Sequence, residues 1–285
     1  MSSPRASALI LVVAAALTLA LSVLPFGGVL TYPFRIFVTY VHESSHVIAT
    51  LLTGGRALGM NVDPDGSGVA YHRGGVGIIV SSAGYLGSTL FGGFLLLLCG
   101  RQAVARRTLV WLGVATFAVT LLFVGFSPFP AVLTLGLAGI AAVLGSLPAR
   151  SSGLRTALAV AAGAVAVLLI AVVVVQKIAF PWLAGLLLAT GLLLAGQYLS
   201  PGAAHFLLGF LAVQCCMSAV LDLLTLVTLS AGTNVQTDAR NMQAMTGIPA
   251  IVWALLWTAV AVVVLVLTLG HFVKRAAAGD LGVGA

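Results

Sequence analysis

The sequence predicts an all-α polytopic membrane protein, a single integral membrane domain over residues 1–285 with about nine transmembrane helices (seven to nine) and one short β-hairpin. Three observations predict it. Hydrophobic residues make up 61% of the chain and charged residues only 7%, against roughly 25% charged in a soluble globule. Thirteen Lys or Arg and six Asp or Glu are too few to solvate the surface of a 29.0 kDa globule, whereas a chain facing lipid needs few. Apolar runs near or above the ~20 residues of a bilayer crossing recur from one end of the chain to the other. The formal charge of +7 does not make nucleic acid a partner, because the basic residues stand singly or in small groups between apolar runs, as topology-setting loop charges do. Cys99 and the adjacent Cys215 and Cys216 form neither a disulfide framework nor a zinc-ribbon spacing and read as lipid-facing or packing residues.

The first apolar run, 8–30, exceeds the 7 to 15 residues of a signal-peptide core and reads as a retained helix. The second, about 33–52, contains Arg35, His42, Glu43 and His46; it would insert poorly alone, and polar residues at membrane depth point to function. Residues 53–75 alternate through Ala57 to Val62, turn at Asp63-Pro64-Asp65-Gly66 and resume at Val69 to His72, the pattern of a hairpin. Further spans are expected at 76–99, 109–126, 130–147, 154–176, 180–199, 203–229 and 248–271. Residues 230–247 carry Asp238, Arg240 and several amides and suit a short interfacial helix. With nine spans, eight of the thirteen basic residues fall on one side, which mildly favours an outside N-terminus and a cytoplasmic C-terminus.

His42-Glu43-Ser44-Ser45-His46 is an H-E-x-x-H pattern within a predicted helix. Residues four apart lie on one face one turn apart, so both imidazoles can reach a single tetrahedral ion. Glu43 then stands beside a metal without ligating it, where it can take a proton from an activated water and return it to a leaving amine. Zinc lowers the pKa of such a water toward about 7. Glu43 is the only glutamate in the chain; with five histidines and one glutamate, chance would produce the pattern about 3 × 10⁻⁴ times per sequence of this length. Competing readings are an interhelical hydrogen-bond pair with Glu43 matched to Arg35, or a haem ligand, although haem usually draws its axial ligands from separate helices.

A catalytic zinc needs a third protein ligand and an open position. The remaining acids are Asp63, Asp65, Asp222, Asp238 and Asp280. Asp222 alone lies deep in an apolar span, where binding a cation would offset the cost of an isolated carboxylate, and it is the expected third ligand on a helix at about 203–229. Asp238, beyond that span, is the alternative; its loop would have to fold back into the bundle, which is permitted where the loop lines a polar cavity. His72, His205 and His271 read as interfacial or loop residues. Gly84, Ser88 and Gly92 recur at four-residue spacing and suit close helix packing beside the metal helix.

An H-E-x-x-H helix in the membrane, a hairpin and an aspartate on a late helix resemble the site-2 protease family of intramembrane zinc metallopeptidases. The closer likeness is to its compact branch without a PDZ domain, carried by His42 to His46, Gly54-Gly55, Pro64 to Gly68, Ala83-Gly84-Tyr85, Leu221-Asp222-Leu223, Thr237-Asp238-Ala239 and Thr246 to Pro249. Classical members carry Leu-Asp-Gly with a nearby Asn-Pro on the ligand helix, and this chain has neither. The resemblance implies a zinc endopeptidase acting on membrane-embedded or membrane-proximal protein or peptide substrates, with the lipid bilayer as its other partner; the expected location is the plasma membrane of a bacterium. A second reading, which the departures around Asp222 motivate, is a non-catalytic chaperone, scaffold or transporter component keeping the same fold. The hairpin could hold an extended substrate segment by β-augmentation, or simply link two helices.

Overall fold

The computed structural model describes residues 4–99, 102–124, 179–232 and 235–277. They form eight helices and a two-stranded sheet: α1 (Pro4–Val23), α2 (Gly27–Leu52), β1 (Arg56–Val62), β2 (Gly68–Arg73), α3 (Gly77–Cys99), α4 (Gln102–Phe123), α5 (Ala179–Tyr198), α6 (Pro201–Gly232), α7 (Asp238–Thr246) and α8 (Ala250–Ala277). Among the described residues five helices, α3, α4, α5, α6 and α8, are long and apolar enough to cross a membrane. Nine spans are thus not seen; those expected at 130–147 and 154–176 lie outside the described residues.

Two boundaries differ from the sequence reading. The apolar run at 8–30 is divided: Pro25 disfavours helical backbone at Leu24, so α1 ends at Val23 and α2 begins at Gly27. A Cβ on Gly27 would overlap the Leu21 carbonyl, so the chain turns this tightly only with glycine there. Pro33 therefore lies inside α2 rather than at its start. Helix α4 begins at Gln102, not near 109, because Arg106 is drawn to another helix end: its Nε donates to Gly196 O at 3.0 Å and its Nη2 to Gln197 O. A cation there offsets the negative C-terminus of α5.

Helix α3 is the hub, packing against α2, α6 and α8, while α4 pairs with α5. The apolar core joins Phe37 and Val38 of α2, Leu95, Leu96 and Cys99 of α3, and Leu208, Leu211 and Cys215 of α6. Cys99 and Cys215 are packing residues inside this core. His205 is buried there too, not interfacial: its Nε2 lies 2.6 Å from Cys99 O and ties α6 to the end of α3.

The hairpin is present and it folds back along α2. It starts at the C-terminal end of that helix, where Gly55 N donates to Thr50 O at 2.8 Å. Its turn reaches the other half, where Tyr32 Oη donates to Pro64 O at 2.7 Å and Thr39 Oγ1 to Gly66 O at 2.8 Å. The outermost of these anchors, Tyr32 and Thr50, are separated by about 27 Å of helix rise. The turn is built as its residues dictate: Gly66 N donates to Asp63 O at 2.9 Å, Ser67 N and Oγ donate to Asp65 Oδ1, and Gly66 takes a φ of 87°. Met60 and Val62 of β1 are fully buried against Ile36, Tyr40 and Val47 of α2 and Val124 after α4. A Met60–Val124 bridge covers the outer edge of β1. The outer edge of β2 pairs with no strand among the described residues.

Candidate metal centre

Helix α2 presents His42, Glu43 and His46 on the face that meets α3 and the hairpin. His42 and His46, four residues apart, bring their Nε2 atoms to 3.2 Å from one another. A carboxylate oxygen from outside the helix, Asp238 Oδ2, lies 3.4 Å from the first and 3.3 Å from the second. These three form the metal-capable group among the described residues.

The acid brought to the histidines is Asp238, the alternative, and not Asp222, which the depth argument favoured. Depth alone does not choose the face of a helix. Along α6, Leu223 and Leu226 turn inward with essentially no exposure, against α7 and α8, which leaves Asp222, Leu221 and Leu224 on the exposed side. Asp222 is within electrostatic reach of His42 and Arg35 but supplies no atom to the triangle.

Asp238 is delivered by the short helix α7, at its first turn. Thr237 is the N-cap, its side chain accepting from Arg240 N at 3.3 Å, and Gly247 closes the helix in the left-handed region with a φ of 75°. The inner face of α7, Ala239 and Met242, is fully buried against Leu223, Leu226, Ala254 and Trp257. Thus the 230–247 stretch does form a short helix, and packing against α3, α6 and α8 turns it into the site. Burial alone would raise the Asp238 carboxyl pKa; the two imidazoles facing it more than reverse that and hold it well below the usual carboxylate range.

Several features suit a bound cation. An ion with bonds of about 2.0 to 2.2 Å to N and O donors in tetrahedral array would separate those donors by roughly 3.3 to 3.5 Å, close to all three observed distances. Three lone-pair donors aimed at one point also require a proton or a cation between them. His46 Nδ1 donates to Val80 O at 2.7 Å, the tautomer that leaves its Nε2 lone pair free for a metal. Finally, a Cβ on Gly84 of α3 would overlap Nε2 of both histidines, so the glycine keeps open the space in front of them.

Glu43 is 4% exposed and does not belong to the donor triangle. Its carboxylate rests on β2: a Cβ on Gly68 would lie 2.6 Å from Glu43 Oε1. Glu43, the triangle and β2 open onto one cavity of about 280 Å³, which Tyr85, Ser81, Gln236 and Asn241 also line. His72, read from the sequence as interfacial or loop, lines it as well, from β2; the alternation Gly68, Ala70, His72 was the signal for that shared face. Tyr85, Gln236 and Asn241 had no sequence signal of their own as site residues, because α3 and α7 bring them in from distant positions. His271 is exposed near the end of α8.

A family model described as Peptidase M50B-like matches residues 9–158 and 140–268. No curated protein and no solved structure matches the chain.

Proposed function

We propose that this chain, which belongs to the Peptidase M50B-like family of the site-2 protease type, is an intramembrane zinc endopeptidase whose ion is held by His42, His46 and Asp238. Family membership makes it a peptidase-family membrane protein. The observation that carries it is the near-equilateral donor triangle of 3.2, 3.3 and 3.4 Å, with the buried Glu43 beside it and outside it. Zinc bound there would polarise the scissile carbonyl and acidify the attacking water.

The chain's own residues then act as follows. Glu43 takes the proton of the attacking water and passes it to the leaving amine nitrogen; its low exposure keeps bulk water from competing for that proton. His46 is held in one orientation by Val80 O. A helical substrate hides its carbonyls in its own hydrogen bonds, so it must be drawn out before cleavage. The outer edge of β2, which pairs with no strand among the described residues, supports such a role, because Gly68, Val69 and Ala70 line the cavity beside Glu43 and can hold an extended segment through backbone hydrogen bonds. The non-catalytic reading drew on the departures around Asp222, and a donor set completed by Asp238 supports the peptidase instead.

The test is zinc content and proteolysis, measured side by side on protein purified without chelator. About one zinc per chain is expected. Asp238→Asn should lower occupancy at least tenfold while Asp222→Asn leaves it near wild type, and Glu43→Ala should keep zinc while abolishing cleavage of a single-span reporter that wild type cuts. Cleavage by Glu43→Ala at the wild-type rate would sink the mechanism, and zinc loss confined to Asp222→Asn would sink the ligand assignment.

A further inference from the structure

Hydrolysis at the proposed centre gathers negative charge on the oxygen of the scissile carbonyl, and a hydrogen-bond donor already aimed at that oxygen would lower the barrier. The metal ligands and Glu43 supply no such donor: a carboxylate accepts, and each histidine Nε2 is turned to the ion. The donor has to come from elsewhere on the cavity wall.

Tyr85 carries a hydroxyl donor on that wall. It lines the cavity, and its ring stands edge-on to the His42 imidazole with centroids 4.7 Å apart. On its other side it stacks on Trp257, at 5.7 Å and an interplanar angle of 23°, and Trp257 in turn is fully buried and touches Trp253. An aromatic ring held from both sides has little freedom, so the direction of its hydroxyl is set by packing. That hydroxyl makes no hydrogen bond with the described residues, and it lies within electrostatic reach of Asp238 and Glu43. The neighbouring Gly84 is the residue that leaves space before the two histidines, so one short stretch of α3 supplies both the opening and the phenol.

The other candidates fit less well. Asn241 lines the cavity three residues after Asp238, but its side-chain oxygen is bound by Gln236 Nε2, and no hydrogen bond among the described residues turns its amide nitrogen toward the histidines. His72 lies on β2 and makes no ring contact with His42 or His46.

We propose that Tyr85 is a catalytic residue, its phenol O–H donating a hydrogen bond to the carbonyl oxygen of the scissile peptide as that oxygen becomes an oxyanion. No bond to Tyr85 forms or breaks: the proton stays on the phenol, and proton transfer belongs to Glu43. The proposal rests on the peptidase reading above. It predicts that the hydroxyl matters in the transition state and not for substrate binding or metal retention.

Tyr85→Phe tests it, because the ring contacts with His42 and Trp257 are kept and only the hydroxyl is lost. With a single-span reporter, kcat is expected to fall about a hundredfold or more, with KM within twofold and zinc still near one per chain. A phosphinic peptide, whose charged oxygen imitates the oxyanion, should bind Tyr85→Phe at least tenfold more weakly than wild type. A kcat within threefold of wild type overturns the proposal. So does a loss of zinc large enough to account for the lost rate, or a hundredfold kcat loss in Asn241→Leu with none in Tyr85→Phe. Glu43→Ala run in parallel separates the two levels: if it is fully active the peptidase mechanism fails, whatever Tyr85 does.

Discussion

At the residue scale, the centre depends on what is missing as much as on what is present. His42 and His46 supply the donors, but the point they converge on is open only because residue 84 has no side chain. Gly84→Ala should therefore lower zinc occupancy at least tenfold, read by metal analysis of the purified protein. Alanine is a better helix former than glycine by about 1 kcal/mol, so thermal stability without metal should not fall in step with the zinc. Retention of full zinc by Gly84→Ala would mean that the ion sits elsewhere. The acid of the triangle shows a different dependence. Asp238 lies 192 residues after His46 in number and has no periodic relation to it, so only the packing of Ala239 and Met242 turns its carboxylate inward. Asp222 had the better depth, but the inward faces of its helix turn went to Leu223 and Leu226.

At the element scale, the hairpin joins the histidine-bearing helix α2 to the cavity. Its turn is tied to Tyr32 and Thr39 in the first half of α2 and its base to Thr50 near the other end, so β2 is laid along the face that carries Glu43 instead of hanging as a free loop. A sheet edge at such a site is tolerable only where it lines a polar cavity or is covered by another chain. Gly68 sets the spacing between this strand and Glu43. Gly68→Val should push the carboxylate out of place without touching the donor triangle. The expected outcome is zinc near one per chain with cleavage reduced about a hundredfold, within the range a general base contributes. Zinc assay and reporter cleavage on the same preparation check it, and wild-type cleavage would show that the strand does not set the position of Glu43. The alternation and the Asp-Pro-Asp-Gly turn made the hairpin legible in the sequence, since both are local chemistry. Its path back along α2 was not, because that depends on partners such as Tyr32 and Thr39 whose roles no local pattern reveals.

At the scale of the whole molecule, the proposed ion would join parts that are otherwise held by apolar packing. Two ligands come from α2, and the third comes from α7, which packs on α3, α6 and α8. A metal that binds only the assembled site stabilises that assembly through mass action. Removing zinc by chelation should thus loosen α7 first. Hydrogen exchange is expected to rise at residues 235–247 while α5, which packs mainly on α4 and lines no part of the cavity, stays protected. Equal change in both helices, or none in α7, would contradict a ligand on α7. The effect should vanish in Asp238→Asn, where chelator has no such ion to remove.

The sequence by itself determined the membrane character, the helix that carries the H-E-x-x-H pattern, and the hairpin. Each follows from composition or from a short-range period: 61% hydrophobic residues, two histidines one helical turn apart, and alternation broken by a proline-glycine turn. Tertiary structure alone decided which acid faces the histidines and that the scattered Tyr85, Asn241 and His72 share the cavity. The physical reason is that a pattern along the chain reports the faces of one element, whereas a three-ligand site and its cavity are made from several. Their residues meet only when α3, α6, α7 and α8 bury their apolar faces against one another, and that competition for the interior is what turned Asp238 inward and left Asp222 outside the triangle.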